Sequence, residues 1–203
     1  MLQADLSINL AHFDERLDRF GAEDPQAVSW NSRDSQVSRF AVLAQVGSLE
    51  GCRILDVGCG LGDFYGYVQA EAIAVGEYQG IDINPRMIAA ARAKYPGVAF
   101  EYRDLRENPF PASSFDWVLE SGIFNLDMPH WHDVAYGTLR AMFEVCRRGV
   151  AANFLSRLSG NSVAGRRYTD PAEIAAVVGE SITRKYVLRH DYRSNDFTIF
   201  LYR

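Results

Sequence analysis

Three alternate glycines follow an apolar segment and precede an acid in Ile54-Leu55-Asp56-Val57-Gly58-Cys59-Gly60-Leu61-Gly62-Asp63. Gly58 and Gly60 allow a tight turn and let a ligand come close where a Cβ would collide. A strand that runs through such a turn into a helix opens a crevice at its carboxyl end, where open α/β sheets bind their ligands. A nucleotide-containing cofactor is the natural occupant. The dinucleotide pattern Gly-x-Gly-x-x-Gly would need a glycine where Asp63 stands, and an acid at a helix start repels a pyrophosphate. An adenosine without phosphate fits better than a nicotinamide dinucleotide.

The elements that must carry this turn are legible as alternating strand and helix patterns. Strand-like runs fall at 53–57, 78–82, 99–103, 117–120 and 150–154, with helical patterns at 63–74, 85–94 and 131–145. Asn84 before Pro85 and Asp170 before Pro171 each read as a helix cap followed by proline at the first helical position. Such alternation predicts a doubly wound, mostly parallel α/β sheet with helices on both faces. Two last strand-like runs, 182–191 and 197–202, flank the polar loop Tyr192-Arg193-Ser194-Asn195-Asp196 and predict an antiparallel C-terminal hairpin. Ahead of the sheet, 6–20 and 35–48 read as two extra helices placed to cover the crevice. The expectation is one domain over 1–203, with an N-terminal helical cap at 1–50 and a cofactor-binding core at 51–203.

Length and composition limit the function classes. The chain of 203 residues holds one full hydrophobic core. Cys52, Cys59 and Cys146 are too few and too scattered for a disulfide framework or a structural zinc site, so no metal is expected and a reducing cytoplasm is implied. No apolar run approaches the about 20 residues that span a bilayer, and no cleavable leader pattern opens the chain. A net charge of −5 is a poor footprint for nucleic-acid binding, although residues 146–203 carry 10 bases against 5 acids.

Taken as a set, these stations resemble the class I S-adenosylmethionine-dependent methyltransferases over roughly residues 50–203. Asp56-Val57-Gly58-Cys59-Gly60 is similar to the family's first motif, whose backbone lies along the methionine part of the cofactor. The resemblance implies that Asp82 holds both ribose hydroxyls, since a carboxylate accepts two hydrogen bonds side by side. It further implies that Ile83 packs on the adenine, with Asn84 beside it, and that Asp104 and the Leu105 amide meet the adenine edge. Glu120 and Ser121 then end the fourth strand and begin the catalytic loop. The hairpin is similar to the seventh strand of that fold. Asp56 and Asp104 equally suit turn caps, Asn84 suits a helix cap, and Cys59 suits a small turn residue.

The implied reaction is displacement at a sulfonium methyl of S-adenosyl-L-methionine, leaving S-adenosyl-L-homocysteine. Positioning and desolvation supply most of what the protein adds, and a base is needed only for a protonated nucleophile. The acceptor is expected near the loop Glu120-Ser121-Gly122-Ile123-Phe124-Asn125-Leu126-Asp127-Met128-Pro129-His130-Trp131-His132, which departs from the Asn/Asp-Pro-Pro-aromatic loop of relatives that methylate exocyclic amines of bases or glutamine amides. Phe124, Asn125, Arg166 and Tyr168 are the substrate-side residues expected. His130 and His132 titrate in the range of a base, and beside Trp131 at a helix start they suit caps or packing equally. Trp30, Arg33 and Gln36 are placed to close over the cofactor, Arg33 near its carboxylate. A small-molecule acceptor and a monomer or homodimer are expected. RNA or protein acceptors, or a non-catalytic cofactor-binding subunit, are the alternatives.

Overall fold

The computed structural model describes residues 3–203. The described residues form a seven-stranded sheet in the order β3-β2-β1-β4-β5-β7-β6. The strands are β1 Arg53–Val57, β2 Glu77–Asp82, β3 Ala99–Tyr102, β4 Phe115–Ser121, β5 Cys146–Leu155, β6 Tyr186–Arg193 and β7 Asp196–Tyr202. Strands β1 to β5 pair in parallel, whereas β7 runs antiparallel to both β5 and β6. Helices α3 Asp63–Ala70, α4 Pro85–Lys94, α5 Trp131–Val145 and α6 Pro171–Ser181 follow the glycine turn, β2, the β4 loop and β5 in turn. Ahead of them come α1 Gln3–Phe20, a 3-10 turn Pro25–Val28, and α2 Arg33–Leu43.

Period-2 side chains split the core between the two sheet faces. Leu55, Val118, Val150 and Ile199 pack with Leu139, Met142, Ile174 and Val178 of α5 and α6. Their strand neighbours Ile54, Leu119, Ala151 and Phe200 face the other way, against Phe40 and Leu43 of α2, Phe64 and Val68 of α3, and Ile88 of α4. Both proline-started helices are capped as their sequences imply. Asn84 Oδ1 accepts from the Arg86 and Met87 amides at 2.8 and 3.1 Å, and Asp170 Oδ1 from the Ala172 amide at 2.9 Å.

Several boundaries differ from the sequence pattern: the expected helix 35–48 runs from Arg33 only to Leu43, with a further 3-10 turn Ala44–Val46 after it, and the strand expected at 150–154 begins already at Cys146. Helix α3 stops at Ala70, because Ala72 turns into the left-handed region at φ 53° and Gly76 packs on the Gly51 backbone, where a Cβ would stand 2.5 Å from a carbonyl oxygen. The expected polar loop 192–196 contracts to Ser194 and Asn195, since Arg193 pairs with Asp196 in the hairpin. Asp196 is fully buried there, gripped by Arg39 through Nε at 2.9 Å and Nη2 at 2.6 Å. Ile182 belongs to the end of α6, where its amide donates to Val178 O at 3.0 Å, and β6 begins only at Tyr186.

Helix α1 and the 3-10 turn lie across the glycine turn. Ala27 packs with Leu61 and Met87, and Phe13, Leu17 and Phe20 of α1 pack around them. Polar latches hold α1 at both ends. Asp14 accepts from Asn84 Nδ2 at 2.9 Å, Asp18 pairs with Arg86, and Asp5 Oδ2 lies 3.1 Å from His130 Nδ1. Among the described residues no helix is long and apolar enough to cross a membrane.

Candidate functional site

Strands β1, β2 and β4 end at one level, because Val57 pairs with Ile81 on one side and Glu120 on the other. The chain order reverses here, from β1 outward through β2 and β3 and then back to β4, which is where such sheets open a ligand crevice. Counting its open mouth, this crevice holds about 1100 Å³. Asp56 to Gly60, Asp82 to Asn84, Arg103 to Arg106 and Ser121 to Phe124 line it, with Asn9, Phe13, Val28, Trp30 and Gln36 from the N-terminal elements.

The glycine turn is tied down by its own amides. Gly58 and Cys59 N–H donate to Ile81 O at 2.8 and 3.0 Å, and Gly60 N–H to Asp82 Oδ2 at 2.9 Å. Gly58 sits at φ 72°, and a Cβ there would stand 2.0 Å from Ile123 Cγ2, so the turn tolerates no side chain for two independent reasons. The other Asp82 oxygen accepts from the Asn84 amide at 2.8 Å. Burial nevertheless pushes the Asp82 carboxyl above its ordinary range, against these backbone donors.

Asp56 lies on the floor, with Oδ2 accepting from Tyr78 OH at 2.6 Å. Burial first, then the nearby Asp82 and Asp63 charges, push it up to about 7, and the tyrosine hydrogen bond opposes them. Gly80, opposite Asp56 in register, has no side chain between them. Cys59 is buried, which pushes its thiol well up and leaves it unsuited as a nucleophile. Ser121 Oγ is buried on the wall with no hydrogen-bond partner among the described residues. Asp104 accepts from the Arg106 amide at 2.9 Å and pairs with its guanidinium at 3.1 Å. Burial would raise this carboxyl, but the Arg106 bonds hold it below its ordinary value. Leu105 is buried beside it.

Several residues expected at the site lie elsewhere. Glu120 is fully buried beneath the loop, accepting from the Asn153 and Ile123 amides at 2.5 and 3.3 Å, and burial pushes its carboxyl well up. Arg33 is half exposed in an outer groove with Lys94 and Tyr95, 3.6 Å from Asp63. Gln36 does reach the crevice, donating to Asp63 at 2.8 Å. Trp30 packs over Gly122 with the Arg39 guanidinium 4.5 Å from its ring. Phe124 is on the wall, stacked on Phe154 at 4.9 Å, while Asn125 turns away to accept from the Leu155 amide at 3.1 Å. His130 is held by Asp5, and His132 lies 3.3 Å from Glu173 and 3.2 Å from Arg167, so neither faces the crevice. Arg166 donates to Ser29 O at 3.3 Å outside the wall, and Tyr168 is half-buried beside it.

Asn9, Phe13, Val28, Phe40 and Thr138 also line the wall without having been singled out in the sequence. The i, i+4 spacing of Asn9 and Phe13 on α1 is the one signal that marks any of them. Among the described residues no three His, Cys, Asp or Glu side chains gather as a metal site.

The sequence profile of a family described as a methyltransferase domain matches residues 54–149. A Mycobacterium tuberculosis protein named as a methyltransferase, Rv1506c, is 29% identical over 154 residues, covering 73% of this chain and 91% of its own. The fatty-acid O-methyltransferase of Mycolicibacterium smegmatis is 32% identical over 104 residues, covering 48% of this chain and 38% of its own. A SAM-dependent methyltransferase from Archaeoglobus fulgidus superposes with a TM-score of 0.66 at 16% identity, covering 85% of this chain and 95% of that one, a likeness of fold.

Proposed function

We propose that the chain, which resembles the class I S-adenosylmethionine-dependent methyltransferases in sequence and fold, moves that cofactor's methyl group onto a small-molecule acceptor enclosed beneath the N-terminal elements. The observation that carries the small acceptor is the roof. Phe13, Val28 and Trp30 of the cap line the crevice, and α1 is latched across it by Asp5, Asp14 and Asp18. A roofed cleft suits a compact ligand better than an RNA or protein surface.

S-Adenosylmethionine supplies, when bound, a methyl group activated by a sulfonium charge. In this reading Asp82 holds the ribose hydroxyls, Ile83 packs on the adenine, and Asp104 with the Leu105 amide meets the adenine edge. Gly58 and Gly60 would let the backbone approach the methionine part, and Ser121 Oγ would donate a hydrogen bond to the cofactor. The raised carboxyls of Asp56 and Asp82 would ionise more readily beside a cationic ligand, whereas a phosphate would face them unfavourably. Trp30 and Gln36 close the cofactor side, and Phe124 borders the acceptor. Cap and loop exclude water and hold the nucleophile in line, the source of most of the rate in such a displacement. The outward placement of His130 and His132 supports an acceptor that arrives deprotonated and needs no histidine base.

The test is incubation with methyl-labelled S-adenosylmethionine and cell extract, with Asp82→Ala as control. Label in the small-molecule fraction, lost in the variant and on desalting, is expected. Label in RNA or protein overturns the small-acceptor reading.

A further inference from the structure

We propose that the acceptor is an elongated acid whose anionic end is held at the rim of the crevice by Arg16, Arg166 and His12. This rests on the reading of the crevice as a methyl-transfer site for a small acceptor, and it names that acceptor's chemistry. All three groups converge on the 3-10 turn and its cap, Ser29. Arg16 Nε donates to Gln26 O at 2.7 Å, Arg166 Nη2 to Ser29 O at 3.3 Å, and His12 Nε2 lies 2.9 Å from Ser29 Oγ. Ser29 N–H itself donates to Gln26 O at 2.9 Å, so the carbonyls that hold the two guanidiniums belong to one turn.

The cluster's arginines lack carboxylate partners, as Arg92, Arg147 and Arg203 do, but Arg16 and Arg166 converge on a turn whose neighbours line the crevice. Arg39, Arg53, Arg86, Arg103, Arg106 and Arg189 each have a carboxylate partner. Among the described residues Arg16 and Arg166 have none within ion-pair distance, and their hydrogen bonds go to backbone carbonyls. Burial, then the Arg16 charge, pushes Arg166 below its ordinary value, and burial with both arginines does the same to His12. The nearby acids, Glu15 and Asp24, act only through space, and Asp24 already accepts from the Gln26 amide at 2.8 Å. Two planar guanidiniums and an imidazole offer a set of donors suited to carboxylate or phosphate oxygens.

The cluster adjoins the crevice on both of its elements. Asn9 and Phe13 on either side of His12, and Val28 and Trp30 on either side of Ser29, all line the wall. Ser29 has φ 69°, a left-handed conformation uncommon outside glycine and frequent at ligand sites. An anion seated here leaves the other end of the same molecule inside the crevice, so binding energy far from the reacting atom positions it.

The test uses the full chain saturated with S-adenosylhomocysteine and titrated calorimetrically with octanoate, octyl phosphate and octanol. Octanoate or octyl phosphate should bind about tenfold or more tightly than octanol, and whichever binds better identifies the anion. Arg16→Gln and Arg166→Gln should each remove most of that preference, and Arg166→Lys should restore part of it. Unchanged S-adenosylhomocysteine affinity reports an intact fold in each variant, and Arg16→Gln decides alone if Arg166→Gln loses it. Equal binding of acid and alcohol, or a preference that survives both substitutions, overturns the inference while leaving the cofactor reading intact. Failure of the wild-type chain to bind S-adenosylhomocysteine overturns that reading and this inference with it.

Discussion

Asp56→Asn should make the ligand-free protein more stable at high pH, by an amount that the wild-type carboxyl sets. Its ordinary value is 3.8 and the fold pushes it to about 7, mainly by burial. Between about pH 5 and 7 the unfolded chain has lost this proton while the folded chain keeps it. Stability therefore falls as pH rises through that window, by about 1.4 kcal/mol per pH unit, and levels off above the folded value. From about pH 5.5 to 8 the loss through this one group comes to about 2 kcal/mol. The asparagine carbonyl still accepts from Tyr78 OH but carries no charge, so the variant escapes that loss, and other titrating groups are common to both proteins. Urea unfolding of both proteins at about pH 5.5 and 8 should move their stability difference about 2 kcal/mol in the variant's favour. A difference independent of pH refutes the buried, proton-holding carboxyl. Tyr78→Phe removes the hydrogen bond that lowers this carboxyl and should shift the falling limb to higher pH.

Gly58→Ala should destabilise the chain by at least about 1 kcal/mol, because it meets both a left-handed backbone and Ile123; adding Ile123→Ala should recover the steric share and leave the backbone share, measured as a double-mutant cycle in urea. Arg39→Ala takes both short bonds from the buried Asp196, leaves only Arg193 Nε at 3.4 Å, and should cost about 3 kcal/mol, whereas a loss below about 1 kcal/mol would mean that Arg193, water or a proton compensates the carboxyl. Asp14→Ala with Asp18→Ala should leave global stability little changed, since the Arg86 pairs are exposed. It should still speed hydrogen exchange in α1 and release of S-adenosylhomocysteine, and unchanged rates would show that α1 is held by Phe13, Leu17 and Phe20 alone.

Local chemistry made much of the frame legible from residue order. Glycines at Gly58, Gly60 and Gly62 are demanded by backbone torsions within a few residues, and Asn84-Pro85 and Asp170-Pro171 start helices through contacts no farther than the next turn. Two-residue alternation in Ile54-Leu55, Val118-Leu119 and Ile199-Phe200 separates the sheet faces without reference to what packs there. Topology then brings the ends of β1, β2 and β4 together, because a crossover sheet turns at the point where its order reverses.

What residue order left open was every choice between distant partners. Nothing near Asp56 in the chain announces that Tyr78 will hold its carboxyl, and nothing near Asp63 announces Gln36 from α2. His130 and His132 flank a loop that borders the crevice, yet Asp5, Glu173 and Arg167 draw them outward. Arg33 and Gln36, one helical turn apart and hydrogen-bonded to each other at 3.2 Å, both reach Asp63, but only Gln36 lines the crevice. The hairpin loop tightened because Arg39, far away in α2, gives a buried Asp196 its counter-charge. By itself the sequence determined the turns, caps and strand alternation, which depend on torsions and neighbours along the chain. Tertiary structure alone decided which charges are buried, which are paired, and which face the ligand, because those depend on desolvation and on partners that only the folded chain brings within reach.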